Sequence, residues 1–158
     1  MDKPIKKGIG FGITSGIITT IGLMMGLYAA TNSKLAILGG IITIAIADSL
    51  SDSFGIHISE EFSGAKHKNI LKSSSYAFLS KLITASLFIF PIIFLNLKLA
   101  ILICSIMGIL LLIILNYFVS KENGESPIKT TFEHISLATI VIILSYFIGK
   151  IITHLGFN

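Results

Sequence analysis

Five long apolar runs separated by polar segments form the main pattern of the sequence. The runs cover about residues 9–30, 35–58, 75–95, 99–119 and 132–153. A helix needs about 20 predominantly apolar residues to cross a bilayer, so each run is long enough to cross it once. The pattern predicts an all-α membrane protein with five transmembrane helices in a single transmembrane domain, residues 1–158.

The polar links predict how the helices are connected and oriented. Residues 31–34 and 96–98 form links short enough to make antiparallel hairpins, whereas 59–74 and 120–131 are longer and carry most of the charge. Cytoplasmic links are enriched in lysine, so the lysine distribution predicts an N-in, C-out orientation. Nine lysines would then be cytoplasmic: Lys3, Lys6, Lys7, Lys66, Lys68, Lys72, Lys81, Lys121 and Lys129. Only Lys34, Lys98 and Lys150 would be outside.

The composition supports the membrane class and argues against other classes. Apolar residues make up 53 % and charged residues 13 % of the chain, and the mean hydropathy is +0.90, whereas a soluble domain is about 25 % charged. The formal net charge is +4, but the lysines lie mostly at the ends of the apolar runs. We interpret them as topology anchors and expect no binding to nucleic acid. The single cysteine, Cys104, is interpreted as a packing residue.

Asp48 and Asp52 are the main chemical feature of the sequence. They lie four residues apart in the second predicted helix, so they share one helix face. At about 1.5 Å per residue, Asp48 lies about 20 Å beyond Lys34, and an ionised carboxylate at membrane depth costs on the order of 2.5–3.5 kcal/mol. The pair predicts a charged partner, a bound cation or a water-filled path. The alternative is that the helix leaves the membrane early and both residues are interfacial.

Lys81 is a candidate partner for these carboxylates. We expect it about one turn inside the third helix, where it could extend to the interface or pair with an Asp.

The first predicted helix carries a stripe of glycines at intervals of four residues. Such glycines let another backbone approach closely, as at helix–helix contacts in membranes. Two interpretations stay open: packing against a helix of the same chain, or packing across a dimer axis. The residues concerned are Gly8, Gly12, Gly16, Gly22 and Gly26.

A second set of polar residues lies at the predicted cytoplasmic ends of the helices. Carboxylates and imidazoles suit divalent transition metals, so these residues could receive a metal ion at the cytoplasmic surface. Their spacing matches no defined metal site, and a solvated rim is the alternative. The residues are His57, Glu60, Glu61, Glu133 and His134, with His67 nearby.

Several segments resemble the vacuolar iron transporter family, the Fe²⁺/Mn²⁺ transporters of yeast and plant vacuoles and their prokaryotic relatives. Residues 12–26 (GITSGIITTIGLMMG) resemble that family's first helix, and residues 47–55 (ADSLSDSFG) resemble its second-helix pattern. Phe90-Pro91 is similar to a Leu-Pro in its third helix, and residues 145–150 (SYFIGK) are similar to its closing segment. The order of the motifs and the five spans agree over essentially the whole chain.

The resemblance implies a homodimer whose first and second helices line a metal path between the subunits, with proton antiport as the usual coupling. The family's first-helix Asp falls on Ser15, and its metal-binding Met falls on Asp52. A Glu of many members falls on Ile44, and the Glu-rich cytoplasmic domain of most members is replaced by a short link, residues 60–74. An oxygen-only site of Asp48 and Asp52, with Ser15 and Thr14 nearby, favours harder cations such as Mn²⁺, Mg²⁺ or Ca²⁺, while Fe²⁺ stays possible.

The sequence thus leads to one expected function and one alternative. We expect a homodimeric, proton-coupled transporter of divalent cations (Fe²⁺ or Mn²⁺ as substrate, no bound cofactor) in a prokaryotic plasma membrane. The alternative is a membrane scaffold or partner subunit that has lost the pore ligands. The presence of Ser15 at the position of the family's acidic residue favours this alternative. No enzyme is expected, because no nucleophile–base pair, HExxH motif or phosphate loop is present.

Overall fold

The fold is a bundle of five long helices. It was obtained as a computed structural model that describes residues 2–124 and 126–156, without the side chain of Asn123. The helices of this part of the chain are α1 (Lys3–Thr31), α2 (Lys34–Phe62), α3 (His67–Phe94), α4 (Leu97–Asn123) and α5 (Pro127–His154). All five are long and apolar enough to cross a membrane. The all-α class and the five candidate spans are therefore confirmed.

The helices extend beyond the apolar runs that predicted them. α3 begins at His67 rather than near residue 75, and α5 begins at Pro127 rather than near 132. The two long links predicted at 59–74 and 120–131 are consequently mostly helical. Hydropathy identifies the part of a helix that fits the hydrocarbon core, whereas the helical hydrogen bonds continue into the polar ends.

α1 is the central helix and contacts the other four. Its side chains Ile17, Ile21 and Met24 are fully buried in the main apolar core. Side chains from the other helices complete this core, among them Ile37, Ile41, Phe88, Ile92, Cys104, Leu112 and Ala138. The position of α1 matters for the site, because each of the other four helices contacts it.

Three glycines bring α1 close to α3. A Cβ on Gly8 would lie 2.3 Å from the carbonyl oxygen of Ser73, and a Cβ on Gly12 would lie 2.5 Å from that of Ala77. A Cβ on Gly16 would meet α3 as well, at 3.2 Å from the nearest atom. Side chains at Gly8 and Gly12 would force the two backbones apart, so these glycines are needed for the α1–α3 contact.

The remaining two glycines of the stripe face α5. A Cβ on Gly22 would lie 2.8 Å from Val141, and one on Gly26 would lie 3.4 Å from the carbonyl oxygen of Ser145. All five glycines therefore pack within one chain, which is the first of the two interpretations given above. A dimer contact is not needed to explain them.

Two helices depart from regular α geometry. In α2, residues Ile44–Asp48 form a π-helical turn, so the N–H of Ser49 bonds to the carbonyl of Ile44. In α3, the helix is interrupted at Phe88 and resumes at Ile89. Pro91 explains the second irregularity, because it lacks an N–H and its ring clashes with the carbonyl four residues earlier. No proline explains the π-helical turn, which includes Asp48 as its last residue.

Candidate functional site

Four side chains from three helices form a charged centre: Ser15 of α1, Asp48 and Asp52 of α2, and Lys81 of α3. The Lys81 Nζ lies 2.5 Å from Oδ2 of Asp48 and 2.5 Å from Oδ2 of Asp52. It also donates a hydrogen bond to Ser15 Oγ at 2.9 Å. Ser15 Oγ in turn donates to Asp52 Oδ2 at 2.7 Å. Both carboxylates therefore converge on one ammonium nitrogen.

The charged centre lies midway along the helices that form it. Asp48 is fourteen residues from either end of α2, and Lys81 is fourteen residues from the start of α3 and thirteen from its end. Charges at this depth are expensive in a bilayer and persist when they pair with one another. Lys81 lies fourteen residues into α3, because α3 begins eight residues before the apolar run that predicted it.

Local structure on α1 and α2 determines this geometry. Gly12 and Gly16 lie on either side of Ser15 along α1 and let it approach the backbone of Lys81: Cβ atoms there would be 3.0 Å from its nitrogen and 3.3 Å from its oxygen. On α2, the π-helical turn ends at Asp48, and the buried Ser49 side chain donates to the carbonyl of Ile44 at 3.2 Å. Single π-turns of this kind recur at functional sites.

The charges of the centre do not cancel. Two carboxylates face one ammonium group, so the ionised cluster carries a formal charge of −1. The Lys81 side chain is fully buried, whereas the side chains of Asp48 and Asp52 are 39 % and 24 % exposed. The carboxylates are consequently the part of the centre that another cation could reach.

The exposed sides of the two carboxylates open into different cavities. Asp48 lines a groove of about 690 Å³ between α1, α2 and α5, together with Thr19 and Ser145. At Ala30 and Ile152 this groove adjoins a cavity of about 840 Å³ at the end of the bundle opposite the N-terminus.

Asp52 lines a cavity of about 470 Å³ between α1 and α2 that extends in the other direction, toward the N-terminal end of the bundle. Lys7 and Ser59 line its far part. The charged centre therefore separates two cavities that lead to opposite ends of the molecule.

The structure brings three of the four residues of the predicted cation site together and leaves one aside. Asp48, Asp52 and Ser15 belong to the charged centre. Thr14 is half-buried, and in the described part of the chain its hydroxyl forms no hydrogen bond with this group. Thr14 directly precedes Ser15 and lies about 100° away from it around the helix, so its side chain points elsewhere.

The five residues predicted to receive a metal do not meet at one place. Glu60 pairs with Lys7 of α1, the His57 ring packs edge-on against His67, and His134 contacts Asn116 of α4. Within residues 2–124 and 126–156, no three side chains of His, Cys, Asp and Glu are grouped so that they could hold a metal ion. Glu60, His57 and His134 thus each contact a side chain of another helix, and Glu61 and Glu133 are exposed.

Two comparisons with known proteins found no match. No protein-family model matches the chain, and no curated protein matches it. The resemblance to vacuolar iron transporters therefore stays a prediction from the motifs.

Sequence reasoning missed two parts of the site. The π-helical turn has no signal in the sequence, because the four residues that precede Asp48 in it are ordinary residues of an apolar helix. The Lys7–Glu60 pair has no signal in the sequence alone. The two residues lie eight positions from Ser15 and Asp52 on antiparallel helices, so their pairing follows only once the contact of Ser15 with Asp52 is known.

Proposed function

We propose that this protein transports divalent cations across a membrane and that Asp48 and Asp52 are its cation-binding carboxylates. The observation that supports this most is the position of the two carboxylates: Asp48 lines a groove that runs toward one end of the bundle, and Asp52 lines a groove that runs toward the other. Alternating access requires a site that can be reached from each side in turn.

The contacts of Lys81 support binding of a cation between the carboxylates. Its ammonium nitrogen is a positive charge held by one oxygen from each Asp, with the Ser15 hydroxyl as a third oxygen. Mn²⁺, Mg²⁺ and Ca²⁺ prefer such oxygen ligands, at about 2.0–2.6 Å. A divalent ion between the two carboxylates would balance both charges, whereas the ammonium group balances one. The resemblance to vacuolar iron transporters adds Fe²⁺ to the candidates and suggests coupling to protons.

We further propose that two copies of the chain pair through α2. One face of α2 carries small, exposed residues at every fourth position. A Cβ on Gly39 or on Gly55, the glycines at the two ends of this row, would meet no atom within 4 Å. Small residues at this spacing favour close helix contacts in membranes. Pairing there would bring the two charged centres near a shared axis and provide four carboxylates. The residues are Gly39, Thr43, Ala47, Ser51 and Gly55.

One observation favours the alternative, a scaffold without transport. Lys81 already neutralises one carboxylate and hydrogen-bonds to Ser15, so the charged centre is stable without a metal ion. In that case the ion pairs would serve to hold α1, α2 and α3 in register.

Uptake of ⁵⁴Mn²⁺ into proteoliposomes, with and without a pH gradient, tests the proposal against this alternative. Wild type should accumulate Mn²⁺, and Asp52→Asn should lose at least about tenfold of the rate, because the binding charge is removed while the side-chain volume is kept. Asp2→Asn, which removes an exposed carboxylate that pairs with Lys72 away from the charged centre, should transport as wild type does. If Mn²⁺ uptake with wild type is no higher than in empty liposomes, the transport proposal is wrong and the scaffold alternative remains.

A further inference from the structure

A long apolar groove runs along α1 between α2 and α5, and Asp48 is the ionisable residue in its lining. Its volume is about 690 Å³, which falls within the ~300–1,000 Å³ typical of small-molecule sites in proteins. Of the fourteen described residues that line it, twelve are buried or half-buried, and only Ile148 and Ile152 are exposed. The groove is therefore a recess in the bundle with one side open to the bilayer.

Glycines give the groove its depth. Gly22 and Gly26 of α1 and Gly149 of α5 line it without side chains. A Cβ on Gly149 would lie 2.3 Å from the carbonyl oxygen of Gly26, so the backbones of α1 and α5 are in close contact there. A molecule in the groove can consequently lie directly against the helix backbones.

The groove is elongated, and Asp48 lies at its inner end. Because Ser15 contacts Asp52 on the antiparallel α2, Asp48 is level with Thr19 of α1. The groove continues from Thr19 to Ala30. Eleven residues correspond to about 16 Å along a helix. The shape therefore suits a rod-like apolar molecule with one end at the Asp48 carboxylate.

Asp48 is the less compensated of the two carboxylates in the charged centre. Asp52 accepts hydrogen bonds from Lys81 and Ser15, whereas Asp48 has only its ion pair with Lys81 among the described residues. Asp48 is also the more exposed of the two. The negative charge that Lys81 leaves unbalanced therefore faces the groove. The hydroxyl of Ser145, which forms no hydrogen bond within the described residues, lines the same groove.

We propose that this groove binds an organic cation whose charged nitrogen pairs with Asp48 and whose apolar body lies between α2 and α5. A carboxylate among apolar walls attracts an ammonium group strongly, because little water screens the two charges. A neutral lipid chain would fill the groove and leave the charge of Asp48 unbalanced. A hydrated metal ion would balance that charge and leave the apolar walls without a partner. The inference is independent of the proposed function, since it involves neither a metal ion nor transport.

Two rod-shaped fluorescent probes that differ by one charged group test the site. Trimethylammonium-diphenylhexatriene carries a quaternary ammonium group at one end, and diphenylhexatriene is its neutral parent. Binding of each probe to the metal-free, full-length protein in dodecyl maltoside is measured by fluorescence anisotropy, with protein-free micelles as the baseline. Wild type should bind the cationic probe at least about tenfold more tightly than the neutral one, because only the cationic probe pairs with Asp48.

Two variants separate the carboxylate from the apolar walls. Asp48→Asn should weaken binding of the cationic probe at least about tenfold and leave binding of the neutral probe unchanged. Gly26→Leu should weaken binding of the cationic probe by a similar factor, because its side chain would occupy the groove about 10 Å from the level of the carboxylate. A Cβ on Gly26 meets its nearest atom at 3.4 Å, so the fold accommodates this change.

Each variant has a matched control. Asp2→Asn removes an exposed carboxylate that lies away from the charged centre. Gly10→Leu adds the same side chain to α1 at a position where a Cβ meets no atom within 4 Å. Both controls should bind the two probes as wild type does.

Several results would overturn the organic-cation site. Equal affinity of wild type for the two probes would mean that the groove accepts any apolar chain, such as that of a lipid. Binding of the cationic probe by Asp48→Asn as tight as by Asp2→Asn would place its ammonium group elsewhere. Binding by Gly26→Leu as tight as by Gly10→Leu would place its apolar body elsewhere. If neither probe binds, the proposal is wrong, and a dimeric mass by light scattering would favour a second copy of the chain as the occupant.

The test remains decisive if Asp48→Asn does not fold, because the two probes on wild type and Gly26→Leu still answer the question. None of these measurements involves metal transport, so their failure would leave the proposed function as it stands.

Discussion

Lys81 holds the charged centre together, because its ammonium group contacts both carboxylates and Ser15. It is fully buried, and its four-carbon stem lies against Gly16 of α1. A buried ion pair is strongly destabilised when one partner is removed, since the other charge is left without compensation. The two carboxylates are partly exposed, however, so solvent in the cavities reduces that cost.

The first prediction concerns the loss of this ammonium group. Lys81→Met keeps most of the side-chain volume and leaves Asp48 and Asp52 facing each other without a cation. We expect the variant to lose up to about 3 kcal/mol of stability. Added Mn²⁺ should raise its melting temperature more than that of wild type, because the ion replaces the missing charge.

Lys98→Met, a change at an exposed lysine at the start of α4, serves as the control and should show neither effect. Equal stabilisation of wild type and Lys81→Met by Mn²⁺ would mean that the carboxylates do not bind the ion.

The acidic residues of the site and their lysine partner could be predicted from sequence, whereas the geometry of the pairing could not. Asp48 and Asp52 stand out because two carboxylates interrupt an apolar run at helical spacing. Lys81 lies inside the third apolar run, and its ion pairs with Asp48 and Asp52 confirm it as their partner. That one ammonium group contacts both carboxylates depends on the register between α2 and α3. Ser15 was placed only through the resemblance to a family, and its hydrogen bond to Asp52 depends on how closely α1 approaches.

At the scale of helices, the contact of α1 with α3 determines whether the charged centre can form. The two helices approach where Gly8 and Gly12 leave no room for a side chain. Glycine within a helix costs roughly 0.5–1 kcal/mol relative to alanine, so these glycines are expensive unless close packing needs them. Gly10 on the same helix is different, because a Cβ there would meet no atom within 4 Å.

The second prediction compares the substitution of Gly12 with that of Gly10. Gly12→Ala would place a Cβ 2.1 Å from Ser80 Oγ and 2.5 Å from the carbonyl oxygen of Ala77, so we expect it to destabilise the protein by about 1–3 kcal/mol. Gly10→Ala should instead stabilise it by up to about 1 kcal/mol through helix propensity. Thermal unfolding in detergent measures both. Two variants with the same melting temperature would show that α1 and α3 do not pack as described.

Helix existence was easier to predict than helix geometry. The apolar runs identified all five helices, because 20 apolar residues in a row have few other uses. Their ends were misplaced by up to eight residues, since polar turns outside the hydrocarbon core continue the helix. The Phe88 interruption follows from Pro91, whereas the π-turn depends on tertiary contacts that no local pattern reveals.

At the N-terminal end of the whole molecule, residues 2–7 are joined to three other helices by ion pairs. Asp2 pairs with Lys72 of α3, Lys6 with Glu122 of α4, and Lys7 with Glu60 of α2. The hydrogen bond and charge of Lys72 lower the pKa of Asp2. The Asp2–Lys72 pair therefore stabilises the folded protein fully at a pH above the usual pKa of an aspartate. This stabilisation is lost as the pH falls through the lowered pKa of Asp2.

The orientation of the molecule is the subject of the third prediction. With Cys104 replaced by Ala, a cysteine at Lys98 should react with a membrane-impermeant reagent in intact cells, and a cysteine at Lys68 should react only after lysis. Both positions are exposed at opposite ends of the bundle, and the lysine excess lies on the Lys68 side. Labelling of Lys68→Cys in intact cells would reverse the N-in assignment.

The fourth prediction concerns the proposed pairing of two chains. Gly39→Leu adds a large side chain to the small-residue face of α2 at a position that is open within one chain. It should convert a detergent-solubilised dimer into a monomer and leave the fold of each chain intact. Gly10→Leu, a change at an equally open position on α1, should leave the molecular mass of the solubilised dimer unchanged. A Gly39→Leu protein that stays dimeric by light scattering would place the interface elsewhere.

The binding of a divalent cation between Asp48 and Asp52 is most directly tested by calorimetric titration of Mn²⁺ into wild type and Asp52→Asn, with melting temperatures measured alongside. Wild type should bind Mn²⁺, and Asp52→Asn should bind it at least about tenfold more weakly, because one of two ligand charges is gone. Asp48→Asn should change affinity in the same direction. If the carboxylates serve only to pair with Lys81, both proteins will titrate identically. Equal Mn²⁺ affinity in wild type and Asp52→Asn would contradict the site.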